Sequence, residues 1–379
     1  MGDLPDPRET SGALRVVLVD PSSRGGIAAY TRLVARALRL AGVEAEILAS
    51  VALELADDDL RIERRLPADR WGKPDRAGPS FYLRRILTWY GSARAIRSYV
   101  RRRRPDVVHF QAPLNRRFDA LLLRRLHRRV AVVWTAHDVL PFEQSERDPD
   151  WFASIYRTVD RVVAHTALAA EAVRSLAAVD PAVIAHPVPD DIVRTSRLEA
   201  RRRLNLPEEG RIAAALGFIR PYKGYGLLAD VWESLGEDAP RLLVLGELLA
   251  ETERPVIERL EKTGRADVRL GYASDRDLQL AVAASDMLLL PYVDASESGL
   301  LHLSRALGVP VIASDTPELA AAVTSSAAGI AIPRTVDAWS AAVTGELIPP
   351  PPEPPDLESV GRAHLAVYRE VLAERGRRE

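Results

Sequence analysis

Two short segments put cations and small residues where an anion could be held. The first is Gly217-Phe218-Ile219-Arg220-Pro221-Tyr222-Lys223-Gly224. Arginine grips phosphate oxygens through two parallel N–H bonds, and lysine adds a compact point charge. The second is Pro291-Tyr292-Val293-Asp294-Ala295-Ser296-Glu297-Ser298-Gly299-Leu300. Its Ser298–Gly299 pair allows close approach of the backbone to a ligand. Glu297 beside it could accept hydrogen bonds from hydroxyls. Each segment follows an apolar run and opens a stretch of helical spacing. A helix start in that position offers unpaired N–H groups and partial positive charge to an anion. Taken singly, the first also reads as an ordinary basic loop, and the second as a serine-capped helix start.

These segments need strands to carry them. Residues 14–19 (LRVVLV) form an apolar run suited to a strand buried on both faces. A glycine-bearing turn, Asp20 to Gly26, and a helical pattern over 27–41 follow, the opening of a doubly wound domain. Further strands are predicted at 45–51, 106–110, 130–135, 161–165 and 183–185, with helices at 81–104 and 118–128. Residues 52–80 read as an irregular polar excursion and 188–209 as a connector. A second α/β series begins at 211, with strands at 211–216, 241–245, 268–270, 287–291, 309–313 and 329–332. Residues 349–355 (PPPPEPP) predict a stiff link, and a last helix covers 357–374. The expected fold is α/β, with two Rossmann-like domains at 1–190 and 191–348 facing across a cleft. The C-terminal helix, 356–379, is expected to pack back on the first. Ligands of such sheets bind just beyond the carboxyl ends of strands.

Composition narrows the function. The 52 basic and 53 acidic residues nearly cancel, which argues against a dedicated nucleic-acid binder. The chain has no cysteine, so disulfides and thiolate metal sites are excluded. The polar N-terminal segment has no apolar core of a secretory signal, and no run of eighteen apolar residues occurs. A cytoplasmic protein is expected, with any membrane contact peripheral on the inner face. Only three of the basic residues are lysine (Lys73, Lys223 and Lys262), so Lys223 stands out against an arginine-rich background. No metal-ligand spacing occurs; Asp57-Asp58-Asp59 reads as a solvated acidic run, and neither a metal nor another cofactor is expected.

Together, GFIRPYKG, PYVDASESGL and ALGVPVIAS resemble the C-terminal domain of retaining GT-B glycosyltransferases of family 4, also called glycosyl transferases group 1. The PYKG and PY…SG pair is similar to a bacterial branch linked to polysaccharide or glycolipid assembly. The resemblance runs from about residue 14 to 370 and is strongest over 211–319. It implies a nucleotide-diphosphate sugar donor, a hydroxyl acceptor and retention of anomeric configuration. It also implies that Arg220, Lys223, Ser298, Gly299 and Leu300 bind the donor diphosphate, with Gly25 and Gly26 closing over the donor. His137 falls on the family's cleft histidine, His109 on a common position in the acceptor or cleft region, and Glu318 on a donor-side glutamate. Glu297 falls on the first of two glutamates eight residues apart, and with His137 is the catalytic candidate. The second glutamate is missing: Arg305 stands eight residues on. GT-B enzymes of this kind neutralise the leaving diphosphate with Arg, Lys and a helix start instead of a metal.

Two other functions share these features: a catalytically degenerate nucleotide-sugar-binding subunit, and a GT-B nucleotide-sugar epimerase. A dinucleotide oxidoreductase is disfavoured, because no GxGxxG follows a predicted strand. Residues 81–104 hold eight arginines and no acid, beside Phe81, Tyr82, Trp89, Tyr90 and Tyr99. With 118–129 they suit peripheral contact with anionic lipid, which fits a lipid-linked acceptor, or equally a solvated, partly core-facing helix.

Overall fold

The computed structural model describes residues 13–54, 59–68, 79–140, 145–189, 192, 195–294, 298–354 and 356–377. Two compact units emerge: Met1–Pro187 with Asp356–Glu379, and Val188–Pro355. Each is a parallel sheet covered by helices.

The first sheet holds β1 (Arg15–Asp20), β2 (Glu44–Ser50), β3 (Arg61–Leu66), β4 (Val107–Phe110), β5 (Ala131–Thr135), β6 (Arg161–Ala164) and β7 (Ala182–Val183). Their spatial order is β3-β2-β1-β4-β5-β6-β7. The apolar run of β1 splits between two cores with the strand period of two. Val16 and Leu18 meet the helix Gly26–Leu40 on one face; Val17 and Val19 meet residues of the helix Pro79–Arg103 on the other.

The excursion expected at 52–80 contains β3, which pairs in parallel with β2. RIERRL looks polar because an edge strand has much of its surface in solvent. An Arg61–Glu46 ion pair of 2.9 Å spans the two strands. The helix Asp148–Tyr156 also lies where no element was predicted.

The C-terminal helix Leu357–Gly376 belongs to the first unit and packs on the helix Gly26–Leu40. The approach is backbone to backbone: a Cβ on Gly361 would fall 1.9 Å from the Ala37 carbonyl oxygen. Polar bonds tie the same helix to the strand ends. Tyr368 Oη lies 2.7 Å from His109 Nδ1, and Arg375 reaches Asp160 at 3.0 Å.

The second sheet holds β8 (Ile212–Leu216), β9 (Arg241–Gly246), β10 (Ala266–Leu270), β11 (Met287–Leu290), β12 (Val311–Ser314) and β13 (Gly329–Ile332), in the order β10-β9-β8-β11-β12-β13. The segment read as a connector is part of this unit. Its helix Arg197–Arg203 carries Arg201, which is buried and bonded to Asp286 Oδ2 at 2.7 Å and to the Ala284 carbonyl at 2.9 Å. Asp286 also accepts the Ile212 N–H at the start of β8. A charge taken out of water must be paired and fully hydrogen-bonded, and this one is.

Burial also sets a pH response. Burial pushes His364 down to about 4, and His109 lies well below its usual value through burial and the nearby His364, His137 and His165. Unfolded, a histidine titrates near about 6.5. Between those values the unfolded chain binds a proton that folded His364 refuses, so its contribution to stability falls as pH falls from about 6.5 to about 4. Asp119, raised to about 7 by burial, acts in the opposite sense, so the test must be differential. Relative to the parent, His364→Leu should gain about 1.4 kcal/mol per pH unit on acidification through that window. Urea unfolding of both proteins along the pH range measures this; a constant difference would contradict it.

Candidate functional site

In each sheet the order of strands reverses once, between β1 and β4 and between β8 and β11. Ligands of doubly wound sheets bind at this reversal, beyond the carboxyl ends.

In the second unit the loops after β8 and β11 meet there. Gly224 adopts φ +73°, and a Cβ on it would fall 1.9 Å from the Pro291 carbonyl oxygen. Only glycine suits both the left-handed backbone and that separation. The Val293 N–H donates to the Tyr222 carbonyl at 2.8 Å, closing the two loops. Arg220 precedes a single 3-10 turn, Pro221–Lys223, after which the helix Tyr225–Leu235 begins.

This closure sets the Lys223 ammonium 3.8 Å above the centre of the Tyr292 ring and 5.4 Å from that of Tyr222. Aromatic faces attract a cation without neutralising it. Among the described residues, no hydrogen bond or ion pair engages the Arg220 guanidinium or the Lys223 ammonium. Burial, with Arg220 adding to it, lowers Lys223 to about 8. An ammonium destabilised in this way gains more than an ordinary surface lysine when an anion arrives.

Ser298 supplies the second half. It is 5% exposed, and its Oγ lies 3.2 Å from Tyr292 Oη. That bond diverts it from capping the helix Gly299–Ala306, which has no side-chain cap. The Leu301 N–H turns back to the Ser298 carbonyl. Among the described residues the Gly299 and Leu300 N–H groups have no partner, so the helix start keeps its anion-binding capacity. Leu300 Cδ1 comes within 3.6 Å of where a Cβ on Gly217 would lie, at the end of β8. Glu318 is half-buried in the first turn of the helix Pro317–Ser325, which follows β12, the neighbour of β11. Thus Arg220, Lys223, Ser298, Gly299 and Leu300 are brought together, with Glu318 one strand away. Glu297 lies outside the described residues. Arg305 is half-buried on the helix Gly299–Ala306.

In the first unit, Gly25 and Gly26 open the helix Gly26–Leu40 without a side-chain cap. His137 follows β5 and stands edge-on to Tyr30 of that helix, with ring centres 4.4 Å apart. The structure therefore brings His137 beside the helix that the glycine turn opens. Two further histidines, missed by sequence reasoning, join it. His165 follows β6, and His186 lies shortly after β7; each ring lies 4.9–5.0 Å from Tyr30. His186 falls just after the predicted strand 183–185, a position that marks it in the sequence, whereas His165 closes the predicted strand 161–165 and carries no such mark.

His109 is placed elsewhere. It points inward from β4 and is 0% exposed. Both ring nitrogens are engaged, Nδ1 by Tyr368 Oη and Nε2 by Thr135 Oγ1 at 2.8 Å. That arrangement leaves no nitrogen for an acceptor and makes His109 a tie between the sheet and the C-terminal helix. The sequence does not carry this distinction, because an apolar strand with one histidine reads the same whichever face the ring takes.

The loop closure has a direct test. Gly224→Ala should lower the unfolding free energy by roughly 3 kcal/mol or more, from left-handed strain and the clash with Pro291. Gly226→Ala is the control: no atom lies within 4 Å of its Cβ position, and it should change stability by no more than about 1 kcal/mol. Denaturant unfolding of both variants distinguishes a steric requirement at Gly224 from general sensitivity of the loop.

Comparison with known proteins bears on the family and the fold. Residues 24–191 match the model of Glycosyltransferase Family 4, and residues 210–347 that of Glycosyl transferases group 1. A GDP-mannose:glycolipid 4-beta-D-mannosyltransferase of Xanthomonas campestris pv. campestris is 28% identical over 170 residues, 42% of this chain and 49% of that protein. The alignment thus spans about half the length of that relative. A glycosyltransferase from Rickettsia africae superposes with a TM-score of 0.69 at 15% identity, covering 96% of this chain and 99% of that one. Sucrose-phosphate synthase from Thermosynechococcus elongatus gives a TM-score of 0.67 at 16% identity, covering 96% and 98%. The two matched models and the shared fold place the chain among the GT-B glycosyltransferases of family 4 and group 1.

Proposed function

We propose that the chain transfers a hexose from a nucleoside-diphosphate sugar to a hydroxyl acceptor, with the second unit holding the donor. The carrying observation is the pair of cations, Arg220 and Lys223, that no carboxylate among the described residues neutralises, beside a helix start without a side-chain cap at the reversal of strand order. Charge builds on the diphosphate as the glycosidic bond breaks, and donors fixed in advance stabilise it without reorganising. Arg220 and Lys223 take diphosphate oxygens, the Gly299 and Leu300 N–H groups take another, and no metal is required. Glu297 and Glu318 accept hydrogen bonds from donor hydroxyls. His137, with Gly25 and Gly26, serves the first unit's side of the reaction. The acceptor is glycolipid-like, as the name of the Xanthomonas relative suggests, and residues 81–129 meet the membrane that carries it, on the cytoplasmic side. GDP-mannose is the first donor to try. Retention of configuration by a front-face path is the stereochemical reading; NMR of the product's anomeric proton checks it, and an inverted product would reject it.

Calorimetric titration with nucleoside diphosphates tests the clamp. Arg220→Ala and Lys223→Ala should each weaken binding about ten- to a hundredfold, the size expected for losing a hydrogen bond to a charged group. Unchanged affinity in both would remove the assignment. The affinity should also depend on pH. Lys223 loses its proton near 8 in the free protein, and a bound diphosphate holds the proton on. Affinity should therefore be level between about pH 7, where the terminal phosphate is ionised, and about pH 8, and fall by up to about tenfold per unit above it. Lys223→Gln should abolish that slope while leaving the folded state intact by circular dichroism.

A further inference from the structure

The helix Pro79–Arg103 presents a strip that its own fold does not cover. Leu83, Leu87, Tyr90, Arg94, Arg97 and Arg101 recur at alternating spacings of four and three, so they share one face. All six are exposed; Leu83 is 59%, Leu87 62% and Tyr90 62% accessible. The strip is apolar over its first turns and arginine over its last.

The neighbouring helix Asp119–His127 repeats the order. Leu121 is exposed near its start, and Arg125, Arg128 and Arg129 are exposed at its end. The Trp89 Nε1–H donates to Asp119 Oδ1 at 3.0 Å, which holds the two helices side by side. At their arginine ends a groove of about 140 Å³ opens between them, lined by Arg97, Arg101, Arg125, Arg128 and Arg129 and, among the described residues, by no carboxylate. Arg125 donates to the Leu121 carbonyl. Among the described residues no carboxylate pairs with the other four. Both helices run back against parallel strands, and Arg103 and Arg129 stand just before β4 and β5. The groove is therefore at the amino edge of the sheet, away from the carboxyl edge where His137 and the Gly25–Gly26 turn lie.

We propose that this strip docks on an anionic phospholipid bilayer, its apolar half entering the interface and its arginine groove taking headgroup phosphates. The inference rests on the reading above that residues 81–129 meet a membrane, and adds which residues do what and to which lipid. Charge complementarity selects the occupant: five arginines without a carboxylate match a phosphate layer, and each can bind phosphate bidentately. The apolar half selects a lipid surface over a free polyanion, which would leave Leu83 and Leu87 in water. No described helix is long and apolar enough to cross a membrane, so the helix lies on the surface.

Flotation of the full chain with phosphatidylcholine vesicles, with and without phosphatidylglycerol, tests this. The parent should bind only the phosphatidylglycerol vesicles. Arg97→Gln/Arg101→Gln/Arg128→Gln should weaken that binding about a hundredfold, at roughly fivefold per arginine. Leu83→Ser/Leu87→Ser should weaken it about tenfold and make the remainder collapse in high salt. A parent that binds neither vesicle overturns both the membrane reading and this proposal. A parent that binds while the triple arginine variant binds equally well overturns the groove alone. A DNA duplex that binds more tightly than the vesicles, with no effect of Leu83→Ser/Leu87→Ser, assigns the strip to nucleic acid instead. Nucleoside-diphosphate affinity, a property of the second unit, reports separately on the transfer reading.

Discussion

The candidate donor site depends on a backbone-to-backbone contact, Gly224 against the carbonyl of Pro291. With no side chain between them, the loops after β8 and β11 close on each other through the Val293–Tyr222 hydrogen bond. That closure puts the Tyr292 ring under Lys223. Tyr292 in turn engages Ser298, so the serine is not spent on capping the next helix. One missing Cβ thus links a depressed lysine, a guanidinium with no ion pair among the described residues and an open helix start. Each is unfavourable or neutral for folding alone, and each becomes favourable when a diphosphate adds negative charge.

The first unit solves a different problem. It buries histidines and keeps them neutral, with hydrogen bonds instead of counter-ions. His109 shares its two nitrogens between Tyr368 and Thr135, and His364 bonds the Val360 carbonyl. These polar ties, with the close contact at Gly361, make the last helix of the chain an integral layer of the first domain. His137 stays half-buried at the carboxyl edge, against Tyr30. Two histidines that look alike in sequence, each associated with an apolar strand, therefore have opposite surroundings. One lies inside the strand and its ring faces the core; the other follows the strand end.

The strand–turn–helix alternation and the two-domain division were legible in the sequence for a local reason. Strands buried on both faces must be nearly continuous apolar runs, and the turns after them carry glycine and charge at short spacing. Arg220, Lys223, Ser298 and Gly299 belong to such turns, so the sequence by itself determined that both segments end at strand edges. Other features needed partners far along the chain. β3 looks polar, and is a strand because β2 pairs with it. The helix Arg197–Arg203 looks like a linker, and is held because Asp286 accepts Arg201. The role of His109 turns on Tyr368, 259 residues away. The spacing of strand ends says nothing of which two lie side by side. Only the tertiary structure decided that β8 and β11 are neighbours, because that order depends on how helices cross over the sheet, and with it the meeting of the two anion-binding segments.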